Sequence, residues 1–137
     1  VKMNPEVKAQ WVADLRSGNF TQGTGVLHRQ HDNTATGHTF CCLGVLCERA
    51  VAAEVAERQI STSLDPAWRG IATYYGTNEK DLGNKSHHYL PEDVREWAGL
   101  TNVDPVVEIN GYSMRLSEHN DQGCTFAQIA DAIEEQL

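Results

Sequence analysis

Phe40-Cys41-Cys42-Leu43-Gly44-Val45-Leu46-Cys47 carries three of the four cysteines of this 137-residue chain, at a point where a strand pattern passes directly into a helix pattern. Leu43, Leu46, Cys47 and Ala50 recur at i, i+3, i+4 and i+7, so one face of the helix is core and runs on towards Val51 and Val55. Gly44 inside it costs up to about 1 kcal/mol relative to alanine. Close contact with another backbone would offset that cost, so this is expected to be the central helix. A thiol in its first turn lies in the positive field of unpaired N–H groups, which favours the thiolate. A buried thiol there is only a small apolar plug, and packing is the simpler expectation for the cysteines.

The flanking segments follow known local rules. Asn4 caps a first helix with Pro5 at its first position; Val7, Trp11, Val12 and Leu15 make its stripe and Ser17-Gly18 its stop. Val26 to Arg29 and Gly37 to Phe40 read as a hairpin around a polar turn at His31-Asp32-Asn33-Thr34. Asp65 to Gly70 is a capped turn, Ile71 to Tyr75 a strand, and 77 to 86 a polar loop. Pro91 opens a helix closed by Gly99, and Asn110-Gly111 joins Val106–Ile109 to Tyr112–Met114 in a hairpin. A short helix ends at Gly123; Thr125 and Gln128 then box the start of a last helix with a stripe of Phe126, Ile129, Ala130, Ile133 and Leu137. Hairpins without βαβ alternation define an α+β class. Residues 1–137 are expected to form a single small domain, with antiparallel hairpins making a small sheet packed against four to five helices.

Nineteen acidic against eleven basic side chains leave a formal charge of −8, which makes nucleic acid an unlikely partner. No run of Lys or Arg builds a local exception. No secretory signal or membrane span is evident, so a cytoplasmic setting with free thiols and no membrane association is expected. No cofactor is implied. Cys42, Cys47, Cys124 and the pair His87-His88 lack the two close-spaced ligand pairs of a structural zinc site, so no metal is expected either.

Phe40 to Cys47 also carries a resemblance, joined by Trp11 to Gly18, Gln22-Gly23, Leu90-Pro91, Trp97-Ala98-Gly99, and Asn120-Asp121 with Gly123. Together they resemble a family of small proteins of tailed phages and prophages, over nearly the whole chain. The resemblance implies an accessory protein made in the infected cell, hence in the host cytoplasm, and brings no catalytic assignment. His119 departs from the pattern, standing where an apolar residue is expected.

The expected function is binding, of a host protein or of a small and possibly nucleotide-like ligand, with counter-defence a role consistent with phage origin. The candidate surface is the first hairpin and its junction with the central helix: Gln22, His28, Arg29, His38, Cys41 and Cys42, with Asn120 and Asp121 as a second polar cluster. An anionic nucleotide would find its charge complement in helix-start amides and Arg29. Two alternatives stand beside it. A thiol-dependent hydrolase or transferase would use Cys41 or Cys42 with His38 or another hairpin histidine. A transcriptional regulator would use the C-terminal helix pair, although Asp131, Glu134 and Glu135 occupy its outer face. Ligand identity, host target and oligomeric state are not encoded in any motif here.

Overall fold

A computed structural model of the chain describes residues 2–32, 37–77 and 85–137. Asn33 and Thr34 of the expected first turn, and residues 78–84 of the expected polar loop, lie outside the described residues. The elements run α1 (Pro5–Arg16), β1 (His28–Gln30), β2 (His38–Phe40), α2 (Cys42–Ala52), β3 (Ala56–Ile60), β4 (Ala72–Gly76), α3 (Glu92–Ala98), β5 (Val106–Ile109), β6 (Tyr112–Arg115), α4 (Leu116–Asp121) and α5 (Phe126–Gln136). This is a small single α+β domain of five helices and three two-stranded antiparallel hairpins. The hairpins do not merge into one ladder. The first and second meet through a bridge from Arg29 to Ile71 and through His28 against Tyr74.

Helix α2 is the axis of the core. Cys42 to Cys47 are buried without interruption, as is Ala50, so its first half has no water-facing side. Gly44 permits this packing: a Cβ placed there would lie 1.8 Å from the Leu27 carbonyl oxygen, so the chain entering β1 crosses directly against the helix backbone. From the other side Trp11 is fully enclosed, and its indole N–H donates to the Cys42 carbonyl at 2.9 Å. Arg49 ties the same two helices through a two-point pair with Asp14, at 2.9 and 2.7 Å.

Local signals operate where they were expected. The Asn4 side chain accepts from the Glu6 and Val7 amides, and Thr125 with Gln128 forms the capping box of α5. Asn110 and Gly111 take positive φ values of 54° and 83°, the conformation that a two-residue hairpin turn of this hand requires. His119 is 1% exposed, yet its Nε2–H donates to the Val107 carbonyl at 2.7 Å, so a polar ring stands among apolar neighbours without an unmet bond. Strand β3 has no counterpart in the sequence reading. Its three central residues, Glu57, Arg58 and Gln59, are exposed, so it carries no apolar alternation for a sequence reading to find.

Candidate functional site

The first hairpin has two faces with different chemistry. Register pairs His28 with Phe40, Arg29 with Thr39 and Gln30 with His38, so strand alternation puts His28 and His38 on one side and Arg29 and Thr39 on the other. The expected cluster of His28, Arg29 and His38 around one hollow is therefore divided by the strand that carries it.

The inner face is a closed chain of polar groups. His28 is 1% exposed and stacks on Phe40 with ring centroids 4.2 Å apart. The Tyr74 hydroxyl donates to Glu48 at 2.9 Å, and Arg58 donates to the other oxygen of that carboxylate at 2.5 Å. The tyrosine oxygen is thus left to accept, and it takes the Nδ1 hydrogen of His28 at 2.9 Å. His28 Nε2 must then accept, which fixes His38 Nδ1 as the donor across 2.7 Å. One direction of donation runs from His38 through His28 and Tyr74 to Glu48. Burial holds His28 neutral, its pKa lowered to about 3, with His38 and Arg58 adding smaller repulsions. Burial likewise pushes the Tyr74 phenol up, with the Glu48 carboxylate acting in the same sense.

Gln22, Asn120 and Asp121 do come together, as an internal lock. Gln22 Nε2 donates to Asn120 Oδ1 at 2.9 Å and to the Cys124 carbonyl at 2.7 Å. Asn120 donates from Nδ2 to the Gly23 carbonyl at 2.7 Å and accepts from the Cys42 amide at 3.3 Å. Asp121 accepts from the Gly25 amide at 3.1 Å. Asn120 is 1% exposed and serves as a long-range cap on α2, holding the 22–25 loop against the helix start. The amides expected to meet a ligand are already engaged within this lock.

The thiols at the start of α2 are packed, the simpler of the two expectations, and are not part of an accessible surface. Cys41 and Cys42 are sealed, and burial pushes the Cys41 thiol up to about 12 and the Cys42 thiol well above its ordinary range. Backbone donors of the first turn act to lower Cys41, as the helix-start argument requires, but loss of water outweighs them. Cys47 follows for the same reason.

The outer face of the hairpin opens instead on a hollow of about 670 Å³. Arg29, His31 and Thr39 form one wall, Gly23 to Val26 another, and Trp68, His87 and His88 the third. The walls are held together by backbone bonds: Leu27 N–H to the His87 carbonyl at 2.8 Å and Gln30 N–H to the Gly70 carbonyl at 2.7 Å. His88 Nδ1–H donates to the Gly25 carbonyl at 2.9 Å, and His31 Nε2 bonds Thr39 Oγ1 at 2.8 Å. Trp68 is 51% exposed and meets His87 edge to face, 5.7 Å between centroids. His87 in turn lies 4.0 Å from His88, and burial, then the neighbouring His88, lowers its pKa.

Charge sets this hollow apart. Among the described residues no carboxylate lines it, while three other hollows include Glu54 and Glu57, Asp32, or Glu134. Arg16, Arg49, Arg58 and Arg95 are all paired with acids. Among the described residues Arg29 has no such partner. Of the residues expected at the site, Arg29 alone lines this hollow. Sequence reasoning missed Thr39, Trp68, His87 and His88 as its companions; adjacent histidines and an unplaced tryptophan were the available signal.

Fold and site together describe a small α+β domain with a hollow that holds Arg29 and, among the described residues, no carboxylate, and with a sealed cysteine helix. Residues 3–137 match the model of a domain of unknown function, DUF8296, and the chain belongs to that family. No curated protein and no solved structure matches the chain.

Proposed function

We propose that the protein acts by binding a small anionic ligand in the hollow bounded by Arg29, Trp68 and the histidines. The observation that carries this reading is the guanidinium of Arg29, without an acidic partner among the described residues, in a cavity that no described carboxylate lines, in a chain with charge −8. Such a chain repels anions at long range, so a local site must supply the attraction itself. The volume falls within the range of small-molecule pockets, and a half-exposed indole beside imidazoles suits an aromatic base next to an acidic group. A nucleotide-like ligand combines the two. The concave shape favours a small molecule over a host protein surface. With the resemblance to phage accessory proteins, the reading extends to sequestration of a host signal in the infected cell.

The thiol-dependent alternative lacks a reachable sulfur among Cys41, Cys42 and Cys47. The regulator alternative meets a helix α5 whose outer carboxylates Asp131 and Glu134 already pair with Arg16 of α1. Titration calorimetry with inorganic phosphate, pyrophosphate and the four ribonucleoside monophosphates tests the proposal. At least one nucleotide should bind more tightly than inorganic phosphate, and Arg29→Gln should weaken it at least tenfold. Absence of binding across the panel, or equal binding by the variant, refutes it.

A further inference from the structure

The hollow also contains the parts of an acid–base pair that nothing so far has used. His88 is oriented by the Gly25 carbonyl, which can only accept, so the neutral ring carries its hydrogen on Nδ1 and leaves a lone pair on Nε2. His31 is oriented from a different point. Its Nε2 is held by Thr39, whose side chain lies against Gly23 so tightly that a Cβ on that glycine would fall 2.7 Å from Thr39 Oγ1. Both rings line the one hollow together with Arg29, which lies in β1 two residues before His31. A base with a fixed tautomer, a second imidazole and a free cation around one volume are the requirements for moving protons on either side of a charged centre.

The occupant follows from what the walls lack. The thiols are sealed and Thr39 Oγ1 is bonded to His31, so no cysteine attacks from the walls and the nucleophile is taken from the substrate. A cation flanked by imidazoles, next to an indole, suits a phosphodiester bearing a base, and the internal nucleophile of such a molecule is the ribose 2′-hydroxyl. The charge of −8 disfavours long polynucleotides and leaves short ones. Resting on the anionic-ligand reading above, we propose that the hollow cleaves a short ribonucleotide phosphodiester, with His88 as general base, His31 as general acid and Arg29 bracing the phosphoryl oxygens. His88 Nε2 takes the 2′-hydroxyl proton while the 2′-oxygen forms a bond to phosphorus. The bond from phosphorus to the 5′-oxygen breaks, and that oxygen leaves with its electron pair and takes a proton from the His31 imidazolium. The products are a 2′,3′-cyclic phosphate and a free 5′-hydroxyl. Proton exchange with water resets both rings, and no oxidant, reductant or further reactant enters.

The test uses the whole chain with a mixture of the sixteen ribodinucleoside monophosphates in EDTA, read by mass spectrometry, and a parallel 2′-deoxy mixture read for binding. Wild type should release 2′,3′-cyclic products from the ribose mixture and leave the deoxy mixture intact. His88→Ala, an exposed position, should slow release at least a hundredfold while retaining the deoxy ligands; His31→Ala should do likewise. Binding of the deoxy mixture with no cleavage of the ribose one overturns the catalytic proposal and leaves the binding reading standing. No binding of either mixture also overturns the catalytic proposal, and the mononucleotide panel then decides the binding reading. Cleavage undiminished in both variants refutes the assigned roles.

Discussion

Acidification from pH 7 to pH 5 is expected to destabilise this fold through one buried ring. His28 has an ordinary pKa of 6.5 when exposed in the unfolded chain and about 3 in the native interior. Its folded value lies below its unfolded one, so between these limits the unfolded chain takes up a proton that the native state refuses. The stabilisation is complete above pH 6.5 and declines as pH falls towards 3. Each pH unit in that window is worth about 1.4 kcal/mol per proton, and the 1.5 units between 6.5 and 5 therefore remove about 2 kcal/mol. His28→Asn isolates the effect. Its amide can still donate to Tyr74 in place of Nδ1, but it cannot take up the proton. Urea unfolding of both proteins at pH 7, 6 and 5 gives the two slopes, and other groups that titrate in the range are common to both. Wild type should lose about 2 kcal/mol more than the variant over that interval. Equal losses would refute the assignment of a neutral, hydrogen-bonded His28 to the interior.

Gly44→Ala should lower stability by about 2 kcal/mol despite the better helix propensity of alanine, because the methyl would enter the Leu27 carbonyl; thermal melting checks this, and an unchanged melting temperature would mean that the two backbones are not in contact. Asn120→Ala leaves the Cys42 amide and the Gly23 carbonyl without their side-chain partner and should cost about 2–3 kcal/mol in denaturant titration, with Asn120→Asp also destabilising because a carboxylate cannot donate to Gly23. Iodoacetamide labelling followed by peptide mass spectrometry should modify the part-exposed Cys124 first, and Cys41, Cys42 and Cys47 only at the rate of unfolding.

The helices were legible because their signals are local and redundant. Asn4-Pro5, the Thr125–Gln128 box and the stripes of α1 and α5 each repeat the same instruction at several positions. Gly44 was legible for a different reason: glycine in an apolar helix is costly, and the cost pointed to the Leu27 backbone that sits against it. The site was harder to read. His28 and Arg29 are neighbours in a strand and must face opposite ways, a rule that the grouping of both around one hollow overlooked. The remaining walls of the hollow lie some distance along the chain at Trp68 and His87-His88, brought in by contacts of Arg29 with Ile71 and of Leu27 with His87 that no periodicity records. Strand β3 escaped for a different reason: Glu57, Arg58 and Gln59 are polar and exposed, and its partner β4 supplies most of the hairpin's buried side chains.

Because α2 meets water only along its later turns, residues 41–50 have no stable resting place until the surrounding layers exist. Neighbouring turns and short hairpins can assemble from nearby residues, whereas insertion of this helix depends on partners far away in the chain, among them Trp11 and Asn120. A chain in which this helix has not yet been covered presents three sulfhydryls and a run of greasy side chains at once, so refolding with the thiols blocked should recover less native protein than refolding under reducing conditions.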